Sequence, residues 1–332
     1  MSTVCIIGAT TWGNTIGRLL ANKGTSVNIW ARTEAKAREL KKGLQQYPAD
    51  AGFAKLITFT SHADKALQSA EFVIWAVPAQ SLRQTVRQVT SHITPAMIHV
   101  SLAKGLEAES GKRMSEVIID ETPGTRSQQI CVLSGPNLSQ EINRGLPATS
   151  ILAATEVSTA EKARGLFHSP NFAIFTSNDM IGVELCGALK NVIALGAGMV
   201  DGLGLGDNAK STFITFGWAE VMSLGIALGA KPATFYGLAG LGDLIATCAG
   251  PQSRNHFVGR EVASGRPLGE VKAAMSNIAE GIDTTVAAHR LATKLALDVP
   301  IITLIYRVLF ESLPPIEITN RFKDGLKPEA GS

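Results

Sequence analysis

The sequence predicts an α/β protein in which a doubly wound, mostly parallel sheet is followed by an all-α C-terminal domain. Short apolar runs alternate with amphipathic stretches up to about residue 177. This alternation is typical of a parallel sheet that is covered by helices on both faces. After residue 179 the strand pattern ends and long helical patterns follow. The length of 332 residues suits two domains, since a typical domain has about 150 residues.

The predicted strands are short and rich in Val and Ile, as strands buried on both faces are. They cover residues 4–7, 26–30, 57–60, 72–77, 98–101, 130–133, 150–153 and 172–176. Helical periodicity separates them, most clearly at 13–23, 80–91 and 158–168. In the second half, helical patterns cover 182–199, 210–228, 233–238, 271–276 and 284–297. We place the sheet domain at 1–178, the helical domain at 179–326 and a frayed tail at 327–332.

The composition excludes several classes of protein. The chain has 31 Lys and Arg against 28 Asp and Glu, a net charge of +3, whereas nucleic-acid-binding proteins are usually far more basic. The four cysteines lie far apart without a Cys-x-x-Cys pair, and the six histidines are scattered. This excludes a disulfide scaffold and a cysteine-rich zinc module. We expect no nucleic-acid partner, no metal and a cytoplasmic location.

Neither a signal peptide nor a membrane span is expected. The first residues run straight into an apolar strand without a basic segment. The stretch 181–200 reaches the length of about 20 residues that a membrane span needs. It carries Glu184, Lys190 and four glycines, so we interpret it as a buried helix.

Glycine is in excess, with 32 of 332 residues against a usual share of about 7%. Between residues 182 and 250 there are 14 of these 32 glycines. Because glycine destabilises a helix interior by about 1 kcal/mol, we expect many of them at close-packing and turn positions around a pocket.

A glycine motif directly after the first strand predicts a nucleotide-binding loop of the Rossmann type. Residues 8–13 read GATTWG and lead into a helix. In the usual Gly-x-Gly-x-x-Gly pattern, the first glycine makes the turn, the second admits the pyrophosphate and the third packs helix on strand. Gly8 and Gly13 fit the first and third positions, and Thr10 replaces the second. The hydroxyls of Thr10 and Thr11 could donate to phosphate; the alternative is a plain strand-to-helix turn.

The end of the second strand indicates which dinucleotide is bound. An NAD site usually places an acidic residue there, on the ribose 2′-hydroxyl. This chain has Arg32, which suits a 2′-phosphate and stacks on adenine. NADP(H) is therefore favoured, and Glu34 nearby keeps NAD(H) as an alternative. Arg32 could instead be a solvated loop charge.

Two lysines lie in unusual settings. Lys104 follows the carboxyl end of a predicted strand, where ligands bind in doubly wound sheets. Lys190 lies on a predicted helix whose positions three and four residues away are small or apolar. Such a lysine either extends to solvent or is buried for a function, and burial beside a second cation would lower its pKa.

Two further segments carry polar groups that suit a phosphate ester. Asp243 follows a Gly-Leu-Gly turn and could orient a lysine or cap a helix. Ser253, Arg254 and Asn255 supply a hydroxyl, a guanidinium and an amide just before a helix. This combination suits a phosphate dianion, although an ordinary surface turn is the alternative.

Taken together, these strings resemble the NAD(P)-dependent sn-glycerol-3-phosphate dehydrogenases of the bacterial type. The resemblance covers nearly the whole chain, and the joint order and spacing of the strings make it specific. The strings are KGLE at 104–107, SGP at 134–136, KNVIA at 190–194, GAG at 196–198, AGLGDL at 239–244, SRN at 253–255 and EG at 280–281.

The resemblance implies reversible reduction of dihydroxyacetone phosphate to sn-glycerol 3-phosphate for glycerophospholipid synthesis. It implies proton transfer by Lys190 and a role for Lys104 towards both substrate and cofactor. It further implies two sets of binding positions. The substrate set is Gly135, Asn137, Asp243, Ser253, Arg254 and Asn255, and the cofactor set is Thr11, Trp12, Arg32, Ser139, Arg254 and Glu280.

The chain departs from the family pattern at two positions. Thr10 stands where the family has glycine, and Asn137 stands where it has a small hydroxyl residue. Two alternatives follow: a non-catalytic NAD(P)-binding sensor protein, or a related dehydrogenase of 3-hydroxy acids. The expected partner is a small phosphate ester, and the apolar helical domain could also form a homodimer interface.

Overall fold

The computed structural model describes residues 3–44, 52–249, 253–275 and 277–323, with side chains to residue 320. The predicted tail at 327–332 lies outside these residues. The chain divides into two compact units. The sheet unit comprises Met1–Ala103 and Met114–Val183, and the helical unit comprises Lys104–Arg113 and Glu184–Ser332.

The sheet unit contains one eight-stranded sheet with the strand order β3-β2-β1-β4-β5-β6-β7-β8. Only the β6–β7 pair among these strands is antiparallel. Every predicted strand overlaps an observed one, and the predicted fold class is confirmed. The strands are β1 (Thr3–Ile7), β2 (Ser26–Trp30), β3 (Ile57–Thr60), β4 (Phe72–Trp75), β5 (Ile98–Ser101), β6 (Ile130–Ser134), β7 (Ala148–Ala154) and β8 (Phe172–Ser177).

Helices connect these strands and bury their apolar sides against the sheet. The strand order reverses between β1 and β4, and ligands of doubly wound folds bind beyond the carboxyl ends of the strands at such a reversal. The loop after β1 therefore starts at this point. The helices are α1 (Thr11–Asn22), α2 (Glu34–Leu44), α3 (Ala63–Leu67), α4 (Ala79–Val89), α5 (Met114–Glu121), α6 (Ser139–Asn143) and α7 (Val157–Phe167).

The helical unit contains the remaining helices. They are α8 (Met180–Gly202), α9 (Gly206–Ala227), α10 (Pro232–Phe235), α11 (Asp243–Ala249), α12 (Arg254–Ala263), α13 (Leu268–Ala274), α14 (Gly281–Lys294), α15 (Pro300–Phe310) and α16 (Glu317–Lys323). Among the described residues, α8 alone has the length and composition to cross a membrane, and 94% of its most apolar window is buried in the protein. Burial within the protein thus accounts for its apolar composition.

Glycines bring α8 and α12 into backbone contact. A Cβ added at Gly198 would lie 2.0 Å from the carbonyl oxygen of His256, and one at Gly259 would lie 1.9 Å from that of Leu195. At Gly202 it would lie 2.5 Å from the carbonyl oxygen of Arg260. Larger residues would force the helices apart, so these glycines account for part of the excess noted in the sequence.

Residues 104–113, which we call the Lys104 arm, pack within the helical unit. The sequence-based boundaries left this segment in the sheet domain, which makes the observed division different from the predicted one. The arm folds back on itself through an antiparallel bridge between Leu106 and Arg113. Its Leu106 is fully buried, and Arg113 forms an ion pair with Glu184 at 2.7 Å. The burial of Leu106 and the Arg113–Glu184 ion pair explain why the arm packs within the helical unit.

Candidate active site

Two lysines share one buried carboxylate in the helical unit. The Nζ of Lys190 donates to Oδ1 of Asp243, and the Nζ of Lys104 donates to Oδ2 at 2.7 Å. Lys190 also donates to the Oγ1 of Thr247 at 2.5 Å. An ammonium has three N–H donors, so these two bonds leave Lys190 one N–H for another acceptor. The cluster of Lys104, Lys190 and Asp243 has a net charge of +1.

Burial sets the acidity of this cluster. Lys190 is 6% exposed and Asp243 is 2% exposed. The pKa of Lys190 is lowered to about 8, and burial is the largest cause. The charge of Asp243 opposes this shift, and the charge of Lys104 adds to it. The sequence left open whether Lys190 extends to solvent, and the structure answers that it is buried with polar partners. A lysine with a pKa near neutrality can both donate and accept a proton.

The glycine-rich segment before α11 determines where Asp243 lies. Residues Leu238–Gly242 form a π-helical turn that leads directly into α11, and Asp243 is the first residue of that helix. A Cβ at Gly240 would lie 2.2 Å from the carbonyl oxygen of Phe235. Only glycine fits this approach, so the motif fixes the start of α11. Single-turn π segments occur often at functional sites.

Thr247 belongs to the cluster, and sequence reasoning missed it. Its Oγ1 donates to the backbone carbonyl of Asp243 at 2.6 Å and accepts from Lys190. Thr247 stands four residues after Asp243, which places the two side chains on one face of a helix. This spacing was the available signal, but residues 243–249 had not been predicted as a helix.

A chain of amides connects the Lys104 arm to three helices. Asn191 donates through Nδ2 to the carbonyl of Lys104 at 3.0 Å and accepts from Nδ2 of Asn255 at 2.9 Å. The Oδ1 of Asn255 accepts from the backbone N–H of Gly281 at 2.9 Å. Asn255 is buried, and one of its two Nδ2 hydrogens is left for a ligand. Its predicted role in binding a phosphate stays a prediction.

The other predicted residues of the helical unit lie at helix N-termini. Ser253 is the N-cap of α12, and its Oγ accepts from the N–H of His256 at 3.2 Å. Arg254, the first residue of α12, is exposed. Glu280 is the N-cap position of α14. Ser253 and Arg254 thus stand where the amides of a helix attract anions.

The loop of the sheet unit has the geometry that the glycine motif predicts. Gly8 has φ +115°, and a Cβ there would lie 2.8 Å from the carbonyl oxygen of Ala76. A Cβ at Gly13 would lie 2.2 Å from the carbonyl oxygen of Gly8. Both positions therefore require glycine. The N-terminus of α1 follows at Thr11, so its first amides face the region that a pyrophosphate would occupy.

Thr10 has a different part in this loop from the one expected. Its Oγ1 accepts from the N–H of Gly13 at 3.1 Å and donates to the carbonyl of Ala76 at 2.8 Å. A hydroxyl has a single proton, so the expected bond from Thr10 to phosphate is not available in this arrangement. Thr11 is exposed, whereas Trp12 is partly buried and packs against the core of the sheet unit.

Two charged residues, Arg32 and Glu34, follow the end of β2. Arg32 is exposed. Glu34 accepts from the Oγ of Ser61 at 2.7 Å and from the Nε of Arg38 at 3.1 Å. These bonds lower the pKa of Glu34, with the bond from Ser61 the largest cause. Both charges are exposed, and Glu34 is the one whose hydrogen bonds within the protein are described.

Past the end of β6, Gly135 and Asn137 form a second polar edge. Gly135 has φ +139°. Oδ1 of Asn137 accepts from the Oγ of Ser150 at 2.5 Å. The Nδ2 of Asn137 is buried and has no hydrogen-bond partner among the described residues. An unsatisfied buried donor is costly, so this amide is suited to a ligand oxygen. Ser139, another predicted position, begins α6.

Neither a metal group nor a disulfide is found in the part of the chain that the structure describes. No three His, Cys, Asp or Glu residues there could hold an ion together. The cysteines Cys5, Cys131, Cys186 and Cys248 are buried and form no disulfide. Burial raises the pKa of the thiols of Cys131 and Cys248 to about 12, which keeps both protonated.

The helical unit thus holds a proton donor that can stabilise a developing oxyanion. The sheet unit holds a loop suited to a dinucleotide. Predicted residues fall on both: Gly8, Thr10, Thr11, Trp12, Gly13, Arg32, Gly135, Asn137 and Ser139 lie in the sheet unit, and Lys104, Lys190, Asp243, Ser253, Arg254, Asn255 and Glu280 lie in the helical unit.

Comparison with known sequences gives family matches across both units. The N-terminal model of NAD-dependent glycerol-3-phosphate dehydrogenase matches residues 3–160, and the C-terminal model matches residues 179–320. A glycerol-3-phosphate dehydrogenase [NAD(P)+] of Dehalococcoides mccartyi strain 195 is 49% identical over 97% of this chain and 90% of its own length. One from Chlorobium limicola is 39% identical over 94% of both chains.

A solved structure agrees with the sequence matches. The glycerol-3-phosphate dehydrogenase of Coxiella burnetii superposes with a TM-score of 0.90 at 30% identity, covering 98% of this chain and 99% of its own. The resemblance drawn from the sequence strings is confirmed. The chain belongs to the NAD-dependent glycerol-3-phosphate dehydrogenase family.

Proposed function

We propose that this protein catalyses the reversible reduction of dihydroxyacetone phosphate to sn-glycerol 3-phosphate with NAD(P)H, and so supplies the backbone of glycerophospholipids. The observation that carries the proposal is the buried ammonium of Lys190, which Asp243 and Thr247 hold with one N–H left over. A ketone reduction needs such a donor where charge develops on the carbonyl oxygen.

The fit of the loop supports a dinucleotide cofactor. Gly8 and Gly13 leave no room for a Cβ, and the N-terminus of α1 presents backbone amides beside them. Thr11, Trp12 and Arg32 would hold the phosphates and the adenosine part, with Ser139 in the same unit. Lys104, Arg254 and Glu280 of the helical unit are the further cofactor positions that the family resemblance implies. When bound, the nicotinamide supplies the hydride.

Lys190 would act as the general acid in the reducing direction. Its remaining N–H would donate to the ketone oxygen, stabilise the negative charge that develops there and transfer the proton. In the oxidising direction the neutral amine would take the proton back. Asp243 keeps the ammonium oriented, and Lys104 adds positive potential at the same carboxylate. All three groups are in place before substrate binds, which lowers the cost of reorganisation.

The phosphate of the substrate would be held at the start of α12. Arg254 is exposed at the first position of this helix, and Ser253 precedes it. Asn255 donates one of its two amide hydrogens to Asn191 and has the other left for a phosphate oxygen. Binding energy from the phosphate, away from the reacting carbon, would position the ketone.

We propose a preference for NADP(H) over NAD(H). The exposed guanidinium of Arg32 suits a 2′-phosphate, and Glu34 is occupied by Ser61 and Arg38. In Arg32→Ser, the KM for NADPH should rise about tenfold, equivalent to about 1.4 kcal/mol, with the KM for NADH little changed. Equal changes for both cofactors would remove Arg32 from the choice.

The proposal extends to the setting of the enzyme. We propose a cytoplasmic enzyme, because its four cysteines are buried without a disulfide. We also propose a homodimer formed through the helical unit, where Tyr236 and Ile245 are each 63% exposed. Light scattering coupled to size-exclusion chromatography measures the mass, and a monomer at micromolar concentration would argue against the dimer.

Initial-rate kinetics test the activity. We expect oxidation of NADPH and NADH, followed by their absorbance, when dihydroxyacetone phosphate is added, and little rate with an unphosphorylated 3-keto acid. Tight cofactor binding without turnover would instead favour a sensor protein. Preference for the unphosphorylated acid would favour a 3-hydroxy acid dehydrogenase.

A further inference from the structure

The Lys104 arm is held at both ends and in its middle. At its start, Asn191 donates to the carbonyl of Lys104 at 3.0 Å. At its end, Arg113 pairs with Glu184, and their side chains are 15% and 4% exposed. Within the arm, the N–H of Glu107 donates to the carbonyl of Lys112 and that of Gly111 to the carbonyl of Glu107, at 3.0 and 2.8 Å.

The middle of the arm is fixed by a side chain from α14. The Nη1 of Arg290 donates to the carbonyl of Ala108 at 3.0 Å and to that of Glu109 at 2.7 Å. One residue further along α14, Leu291 lies against Gly111, where an added Cβ would meet its side chain at 3.1 Å. A cationic donor shared by two consecutive carbonyls fixes a loop more firmly than a neutral one.

We propose that Arg290 is a positioning residue for Lys104: by holding the arm on α14, it keeps the Lys104 ammonium at Asp243. The inference rests on the proposed function, because Lys104 is placed beside the reacting oxygen there. Arg290 makes no contact with Lys104, Lys190 or Asp243 among its described hydrogen bonds. It therefore acts on turnover only through the backbone of the arm.

Displacement of Lys104 has a specific electrostatic consequence. The titratable groups that act on Lys190 are Asp243 and the protonated Cys248 on α11 and Lys104 on the arm. Lys104 lowers the pKa of Lys190, and Asp243 raises it. If the arm loosens and Lys104 leaves Asp243, the repulsion falls and the carboxylate acts on Lys190 alone. Both changes raise the pKa of Lys190.

The test compares Arg290→Ala with Arg290→Lys and with Lys294→Ala, a control on the same helix that is also exposed. For Arg290→Ala we expect kcat/KM for dihydroxyacetone phosphate to fall about tenfold, less than the roughly hundredfold loss that a 1 Å shift of a reacting group can cause. The dissociation constant for NADPH should rise by less than kcat/KM falls, because Lys104 is only one of several residues proposed to contact the cofactor. In the oxidation of sn-glycerol 3-phosphate, the pH at which kcat/KM rises should move upward by about half a unit or more.

Arg290→Lys should recover part of the loss, because an ammonium can still donate to one carbonyl. Lys294→Ala should match the wild type. Hydrogen exchange supplies a readout besides activity: the amides of Glu107 and Gly111 should exchange about tenfold faster in Arg290→Ala, the effect of about 1.4 kcal/mol on local opening.

Three results would overturn the inference. One is unchanged kinetics and exchange in Arg290→Ala. Another is a loss of activity that Lys294→Ala shares, or that a smaller folded fraction explains. The third is a lower rate with an unmoved pH profile. If the wild type itself does not reduce dihydroxyacetone phosphate, the proposed function fails, while exchange in the arm still decides whether Arg290 holds it.

Discussion

Lys190 combines two properties that rarely occur together in one side chain: deep burial and a positive charge. Asp243 and Thr247 make this possible, because each accepts a hydrogen bond from the ammonium. A buried charge without such partners would be costly. Asp243 and Thr247 thus keep the ammonium charged and oriented, whereas burial lowers its pKa.

Replacing Lys190 tests its assignment as the acid. In Lys190→Ala, turnover of dihydroxyacetone phosphate should fall about 100-fold or more, the range for a missing general acid, while NADPH binding persists. Rapid kinetics and fluorescence titration of NADPH measure the two effects. Lys272→Ala, an exposed lysine of α13, is the matched control. Near-normal turnover in Lys190→Ala would remove it from the mechanism.

The lowered pKa of Lys190 predicts opposite pH profiles for the two directions. Reduction needs the ammonium, so kcat/KM for dihydroxyacetone phosphate should fall as the pH rises through about 8. Oxidation needs the amine, so kcat/KM for sn-glycerol 3-phosphate should rise over the same range. Profiles for both directions from pH 6 to about 10 would check this, and a common direction of change would contradict it.

At the residue scale, the sequence predicted which residues belong to the site better than it predicted the hydrogen bonds that they make. Lys104, Lys190 and Asp243 were predicted, and the structure brings them together. Thr247 was missed because its helix had not been predicted. The hydrogen bonds that Thr10 and Asn255 make within the protein were not predicted, since local spacing does not show which tertiary neighbour a side chain will bond. Ala76 and Gly281 are 66 and 26 residues away from them.

Among the elements, the pair of α8 and α12 determines how the site is assembled. The helices are in contact through Gly198, Gly202 and Gly259, and the Nε2 of His256 lies 2.7 Å from Oδ2 of Asp201. The contact between the two helices thereby fixes the distance between Lys190 on α8 and the predicted phosphate-binding residues at the start of α12. Small errors in this packing would act on catalysis as well as on stability.

Substitution of one glycine tests this packing. In Gly259→Ala, the new Cβ would meet the carbonyl of Leu195 at 1.9 Å, so the free energy of unfolding should fall by about 2 kcal/mol or more. In Gly269→Ala, where nothing lies within 4 Å, stability should stay the same or rise by up to about 1 kcal/mol. Urea unfolding measures both, and equal effects would contradict the contact.

Secondary structure was predicted best for strands whose residues are all buried. Strands buried on both faces leave a nearly unbroken apolar run, and all eight were found. The short helix α11 was missed, and so was α15, although its apolar residues follow a helical period. For α12 only its start was predicted. The Lys104 arm could not be assigned from local pattern, because burial of Leu106 and the Arg113–Glu184 pair are tertiary.

For the whole molecule, the free energy of unfolding depends on pH through a buried histidine in the sheet. His99 is fully buried and accepts at Nδ1 from the Nε1 of Trp75 at 3.2 Å. Since the indole N–H only donates, His99 is neutral with its proton on Nε2, near Thr125. Burial lowers the pKa of His99 from 6.5 to about 4.

The sign of this dependence follows from proton uptake. Between pH 6.5 and about 4 the unfolded chain binds a proton at His99 that the folded protein does not. Stability should therefore fall as the pH drops through this range, by roughly 3 kcal/mol in total at about 1.4 kcal/mol per pKa unit. The bond from Arg87 and, less strongly, that from Arg83 lower the pKa of Glu121 to about 2. Glu121 adds a smaller loss at lower pH, because solvent screens these surface pairs.

Urea unfolding at several pH values checks this dependence. In His99→Gln, the slope of stability against pH between 6.5 and 4 should be much smaller. The exposed His92 serves as the control, and His92→Gln should keep the wild-type slope. The same slope in all three proteins would show that His99 is not its source.

Thr10 has a consequence for the speed of cofactor exchange. The hydroxyl of Thr10 joins Gly13 to Ala76 across the loop, and these two hydrogen bonds within the protein restrict the conformations of this segment. The conformational entropy that a loop with glycine at this position would lose on binding is instead lost during folding. The loop then needs less rearrangement when the cofactor binds or leaves. We therefore expect both steps to be faster than with a loop that has glycine at this position.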